Sequence, residues 1–209
     1  MIRRTLITYG AVGSGMLAMA LFIGWWQVDG PGAPAPVAQR PLPLARMEFQ
    51  MVDQDGSSVG PATLLGQPTM AFFGFTFCPD VCPTTLSDIS GWLNDLGDDA
   101  AEMNVVFITV DPERDTVAVM SDYVSYFHRS IQGWSGTPDE TRRATDGFRA
   151  RYEKVPTDDG DDYTMNHTAS VFLFDAEGQF AGTVDYHEPR EFAVPKIRQA
   201  FEQNREDMS

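Results

Sequence analysis

Cysteine is scarce in this sequence: Cys78 and Cys82 are the two thiols in 209 residues. Two thiols cannot staple a chain of this length, so a disulfide framework of the small secreted kind is excluded as the basis of the fold. Histidine is also sparse, with His128, His167 and His187 as the whole supply of imidazole. Positive charge is deficient, fifteen Lys and Arg facing thirty Asp and Glu for a formal net charge of −15. Because Arg3 and Arg4 lie outside the globular part, that part is more negative still, and nucleic acid is excluded as a partner. An acidic surface fits two readings, a solvated self-repelling exterior and a face that meets basic protein patches. No internal repeat is present, so a solenoid or blade architecture has no support.

What the chain does have begins with an uncharged run between Arg4 and Asp29. It is close to the ~20 residues that cross a bilayer as a helix. Residues 1–28 are therefore predicted to be an N-terminal transmembrane helix, with Arg3 and Arg4 holding the N-terminus in the cytoplasm and Trp25 and Trp26 at the far interface. A cleaved signal peptide is the alternative, although its apolar core would be shorter and Ala18-Met19-Ala20 lies inside the run. Residues 29–46, with prolines at 31, 34, 36, 41 and 43, read as a semi-extended tether with a reach on the order of 40 Å. Residues 47–205 then form one domain with a substantial core.

Both cysteines fall in Phe72–Leu86, the stretch on which the functional reading turns. Met70, Ala71, Phe72 and Phe73 form an apolar run after the breaker pair Gln67-Pro68, as in a central strand covered on both faces. Pro83 suits the first turn of a helix, where its missing N–H would have no partner. Leu86, Ile89 and Leu93 then recur at helical spacing. Cysteines at a helix N-terminus feel the positive end of the peptide dipoles, which favours thiolate. A small local disulfide is the plainer reading, but closing so short a loop removes little unfolded-chain entropy.

The remaining elements alternate. Phe49 and Met51 before Asp55-Gly56 predict a small antiparallel element. Asn104–Val110 is a second apolar strand. The turn Asp111–Thr116 leads into a helix with Val119, Met120, Tyr123, Val124 and Phe127. Gly133-Trp134-Ser135-Gly136 reads as a break, and Thr137-Pro138 as a cap and first turn of a helix carrying Phe148 and Tyr152. Val171–Phe174 and Phe180–Val184 read as a hairpin, followed by a helix with Phe192, Val194, Ile197 and Phe201 and with Pro195 near its start. Strands alternating with helices predict an α/β sandwich.

Gly74-Phe75-Thr76-Phe77-Cys78-Pro79-Asp80-Val81-Cys82-Pro83-Thr84-Thr85-Leu86 resembles the copper-site signature of the Sco/SenC family, thioredoxin-like factors that help assemble the dinuclear copper centre of cytochrome c oxidase. Val110–Thr116, Asn166–Ser170 and Phe172–Asp175 with Gly178 follow in the order that resemblance requires. Thioredoxins carry Cys-x-x-Cys, one residue shorter, and at position 77 an aromatic stands where relatives often carry histidine. The resemblance narrows the fold to thioredoxin-like, a central mixed β-sheet flanked by helices. It also implies a metal site of Cys78, Cys82 and His167 holding Cu(I) or Cu(II). Two soft thiolates and an imidazole fit copper better than a four-ligand zinc site. The implied partners are subunit II of the oxidase, a periplasmic copper donor and, through the N-terminal helix, the bacterial inner membrane, with the domain in the periplasm.

Read alone, a histidine before a strand is an ordinary surface or capping residue; the match at Asn166-His167 is what singles it out. His128 and His187 are read as bystanders, Met165 as core filler and Asp80 as a turn residue or a tuner of the thiolates. The run Asp158–Asp162 is a solvated loop or an electrostatic guide for a basic partner. The chief rival function is thiol–disulfide exchange, in which Cys78 and Cys82 reduce the copper-ligand cysteines of the oxidase subunit. A peroxidase and a binding module without chemistry are weaker alternatives, the latter leaving the sulfur pair unexplained.

Overall fold

The computed structural model of the chain describes residues 16–25, 40–157 and 162–207. Most of the predicted anchor and tether, and Asp158, Asp159 and Asp161 of the acidic run, lie outside the described residues. The chain divides into two units, Met1–Gln39 and Arg40–Ser209. In the first, residues 16–25 form helix α1 with exposed side chains. Among the described residues no helix is long and apolar enough to cross a membrane.

The second unit is built on a five-stranded sheet in the order β5-β4-β3-β8-β9. Its centre is β3 (Thr69–Gly74), every residue of which is buried. β3 runs parallel to β4 (Asn104–Thr109), which runs parallel to β5 (Ile131–Trp134). On the other side β3 pairs antiparallel with β8 (Val171–Phe174), and β8 with β9 (Phe180–Val184). This is the mixed α/β sheet expected, with the apolar run Met70–Phe73 at its middle.

Successive side chains of β3 point to opposite faces and seed two layers. Phe72 stacks on Phe107 at 5.9 Å, and Phe107 in turn meets Tyr123 of helix α3 (Val117–Val124). Phe73 packs edge-on against Phe148 of helix α4 (Pro138–Phe148) and against Phe172. Helix α2 (Val81–Leu96) connects β3 to β4 and packs on α5 (Arg190–Asp207), which also covers β8 and β9. Burying a Phe or Leu on these faces contributes roughly 1.5–3 kcal/mol each. Thr116 and Thr137 cap α3 and α4, accepting from the N–H groups of Val119 and Glu140.

Several local readings change, among them that α3 ends at Val124 and leaves Phe127 in the turn after it. Gly133 is inside β5 rather than a break: a Cβ there would lie 2.9 Å from Val124 and 3.2 Å from Met120, so the missing side chain is what lets α3 pack on the strand. Tyr152 is not on α4. The helix stops at Arg149, in the left-handed region at φ 57°, and Tyr152–Pro156 becomes β6, paired antiparallel with β7 (Tyr163–His167). Phe192 is 60% exposed, and α5 reaches the core through Ala193, Ile197 and Ala200. The small antiparallel element is present as β1 (Met51–Val52) and β2 (Ser58–Val59). Leu44, from the stretch assigned to the tether, is fully buried, and its N–H donates to the Gly178 carbonyl.

Candidate metal centre

The end of the central strand β3, the first turn of α2 and the end of β7 meet at one point. Sulfur and ring-nitrogen atoms of Cys78, Cys82 and His167 all lie within 4.8 Å of one another, and both cysteines are free thiols. Among the described residues no other group of three or more His, Cys, Asp and Glu side chains is placed to hold an ion.

Local structure explains each placement. β3 is followed by buried Phe75, after which the chain turns, the Cys78 N–H donating to the Phe75 carbonyl. α2 starts at Val81, with Asp80 at its N-cap position but making no side-chain cap. Sulfur takes the capping role instead. Cys78 Sγ accepts the backbone N–H of Cys82 at 3.3 Å, satisfying one of the helix's orphan donors. Cys82, in the first turn, is fully buried against the sheet, so close to β3 that a Cβ on Gly74 would lie 2.7 Å from its sulfur. The same Cβ would lie 2.7 Å from the ring of Phe107, also fully buried.

His167 closes the group from the other side. Its ring stands edge-on to Phe72 and Phe75, with centroids 6.1 and 5.9 Å away. Nδ1 is 3.0 Å from the Thr168 carbonyl, an acceptor, so Nδ1 carries the proton. Nε2 then presents its lone pair toward the sulfurs, 3.3 Å from Cys82 Sγ. A backbone acceptor that fixes the tautomer and ring angle is the usual outer support of a metal-binding imidazole.

The two thiols ionise in opposite senses. The hydrogen bond from the Cys82 thiol and, less strongly, those from the N–H groups of Asp80 and Cys82 outweigh burial, lowering the Cys78 pKa to about 4. Cys82 is pushed far above the ordinary thiol range by its bond to Cys78, by burial and by the Cys78 and Asp115 charges. One proton shared between two sulfurs and held mostly by Cys82 describes the pair. Thiolate sulfur 78, a deprotonatable sulfur 82 and a bare Nε2 make a soft three-donor set. Bonds of about 2.3 Å to sulfur and 2.0 Å to nitrogen require donors on the order of 4 Å apart, which these side chains meet.

The other sequence candidates fall elsewhere. The His128 ring accepts the Ser130 N–H at 3.2 Å, and His187, at φ 61°, lies against Tyr186 with ring centroids 3.9 Å apart. Asp80 lines the site's cleft beside Met165, and its carboxylate is 3.4 Å from the Thr84 hydroxyl. Phe77 is 61% exposed and is covered on one side by Arg114, whose guanidinium is 4.9 Å from the ring centroid.

Several residues near the site were not legible as part of it. Asp115 is fully buried, where its carboxylate accepts from the Thr76 N–H and the Thr76 and Thr109 hydroxyls at 3.1, 2.6 and 2.6 Å. It ties the loop before Cys78 to the end of β4, and burial raises its pKa against the pull of those donors. Phe75 forms a wall next to His167, and the alternation Tyr163, Met165, His167 on one face of β7 was the signal available for that strand.

Residues 37–202 match the family SCO1/SenC. The SCO2-like protein of Rickettsia felis is 35% identical over 134 residues, 64% of this chain and 65% of that protein. The mitochondrial protein SCO1 of Saccharomyces cerevisiae is 36% identical over 151 residues, 71% of this chain and 51% of that protein. The chain thus spans between half and two thirds of these relatives. The structure of Bradyrhizobium japonicum ScoI with copper bound shares 44% identity and a TM-score of 0.68, covering 73% of this chain and 97% of that one. With the family match running through the sheet, both cysteines and the histidine ribbon, this chain belongs to the SCO1/SenC family.

Proposed function

We propose that the chain is a copper chaperone that holds one copper ion between Cys78, Cys82 and His167 and assists assembly of the copper centre in subunit II of cytochrome c oxidase. One observation carries the reading: two sulfurs and a bare imidazole nitrogen, drawn from distant parts of the chain, converge within 4.8 Å. That donor set suits Cu(I) through its thiolates and Cu(II) through the added imidazole. Copper in the similar Bradyrhizobium japonicum structure supports the choice of metal. In the same reading residues 1–28 tether the domain to a bacterial inner membrane, so that it works in the periplasm, where copper comes from an exported donor protein.

Thiol–disulfide exchange is the second reading, favoured by the Cys78 thiolate with its pKa near 4 beside a protonated Cys82. The two uses exclude each other at any instant, because an oxidised pair offers no thiolates. Copper stoichiometry and spectra of the reduced chain separate them. Cys78→Ser and Cys82→Ser are each expected to lower affinity for both copper oxidation states, and His167→Ala affinity for Cu(II), at least about tenfold, the loss of one bonded donor. A reductase needs both sulfurs and tolerates the loss of imidazole. Undiminished Cu(II) binding in His167→Ala would overturn the three-donor site.

A further inference from the structure

The three donors ride on two different bodies. Cys78 and Cys82 are fixed by β3 and α2 in the middle of the sheet. His167 ends the β6–β7 ribbon, which among the described residues hydrogen-bonds strand to strand only with itself. What holds the ribbon to the sulfur loop therefore decides whether the imidazole is present at the site.

Arg114 makes that connection. Its Nε pairs with the Asp111 carboxylate at the turn after β4. Its NH1 donates to the Tyr163 carbonyl at 3.0 Å and to the Asp162 carboxylate at 3.3 Å, both at the start of β7. The guanidinium lies 3.8 Å from the Tyr163 ring centroid, 4.9 Å from Phe77 and 5.9 Å from Phe75, so it faces the residue just before Cys78 and one wall of the imidazole. Tyr163 is held a second time, its hydroxyl donating to Asp111 at 2.9 Å and Lys154 Nζ sitting 3.7 Å from its ring centroid. One planar cation thus bridges the turn after β4, the loop before Cys78 and the histidine ribbon.

We infer that Arg114 is a positioning residue that latches the His167 ribbon onto the cysteine loop and so sets how strongly the site prefers Cu(II) to Cu(I). The inference rests on the copper reading above. Cu(I) is satisfied by two thiolates, whereas Cu(II) depends on the imidazole. A loosened ribbon lowers the effective concentration of that imidazole and weakens Cu(II) binding while sparing Cu(I). Arginine is suited to the task because a flat fork donates in its plane and stacks on rings with its face; lysine does neither well.

The test uses the full chain with Arg114→Met, Arg114→Lys and Tyr163→Phe beside His167→Ala and the unaltered protein. Without metal, amide exchange in residues 163–167 is expected to quicken about tenfold in Arg114→Met, with α2 and β3 unchanged. With metal, Cu(II) affinity is expected to fall about tenfold and Cu(I) affinity to hold within about threefold, with the Cu(II) spectrum moving toward that of His167→Ala. Arg114→Lys stays near the methionine variant, and Tyr163→Phe, which keeps the stack, changes less. Unaltered exchange and an unaltered Cu(II) to Cu(I) ratio in Arg114→Met would overturn the latch while leaving the copper site standing. So would full recovery by lysine, or exchange quickened throughout the domain. Equal copper binding by His167→Ala and the unaltered chain would remove the latch together with the copper reading on which it rests.

Discussion

Cys78 and Cys82 are the same residue type in opposite states, and the difference is one of hydrogen bonds. Cys78 is half-buried and receives the Cys82 thiol and N–H groups from the start of α2, while Cys82 is sealed against the sheet and keeps the proton. A group whose pKa is lowered from 9.0 to about 4 stays charged as pH falls through neutrality. Alkylation of Cys78 by iodoacetamide is therefore expected to hold its rate from about pH 8 to pH 5 and drop only near pH 4, where an ordinary thiol loses about tenfold per unit. Cys82→Ala removes the strongest of those bonds and should restore the steep profile; rates followed by mass spectrometry decide it. Asp115 is the other residue-scale dependence. With its carboxylate buried and three donors turned to it, Asp115→Ala is expected to cost about 1–3 kcal/mol in urea unfolding, since the buried Thr109 hydroxyl loses its acceptor where water cannot replace it.

Among the elements, β3 and α2 are pressed together at Gly74, where a methyl group would meet the Cys82 sulfur and the Phe107 ring, neither of which has space to retreat. Gly74→Ala is expected to destabilise the domain by about 1–3 kcal/mol and to displace Cys82, lowering copper affinity more than that stability loss alone would. The strands and helices whose apolar residues face the core were readable: β3 and β4 from continuous runs, α2 from Leu86, Ile89 and Leu93, α4 from Thr137-Pro138. The elements that escaped lack that signal. β6 and β7 bury only Met165 between them, too little apolar patterning to single out a ribbon, and α4 ends on Arg149 with no glycine to mark the stop. β5 hid behind Gly133, a residue that breaks strands in general and here makes room for α3. That Cys78, Cys82 and His167 converge was legible from the family motif at both ends. The Arg114 cluster was not, because ring stacking between residues 114 and 163 leaves no periodic trace.

For the whole molecule, charge and linkage dominate. A net charge of −15 draws basic partner surfaces from a distance, and this attraction fades once salt shortens the Debye length to about 8 Å. Copper transfer to a basic acceptor domain is expected to slow as ionic strength rises, with copper affinity unchanged, as stopped-flow and equilibrium titration at several salt concentrations can check. Copper present at about a thousandfold over its dissociation constant should stabilise the folded domain by about 4 kcal/mol, which for a domain of roughly 165 residues raises Tm by about 8–16 °C in calorimetry.

Cys82 and His167 are 85 positions apart and become neighbours only when β8 returns to lie against β3. A polypeptide emerging N-terminus first presents its sulfurs early and its nitrogen late. The three-donor set is therefore a property of the finished fold, and a chain cut before Tyr163 would keep two of the donors with no means of adding the third.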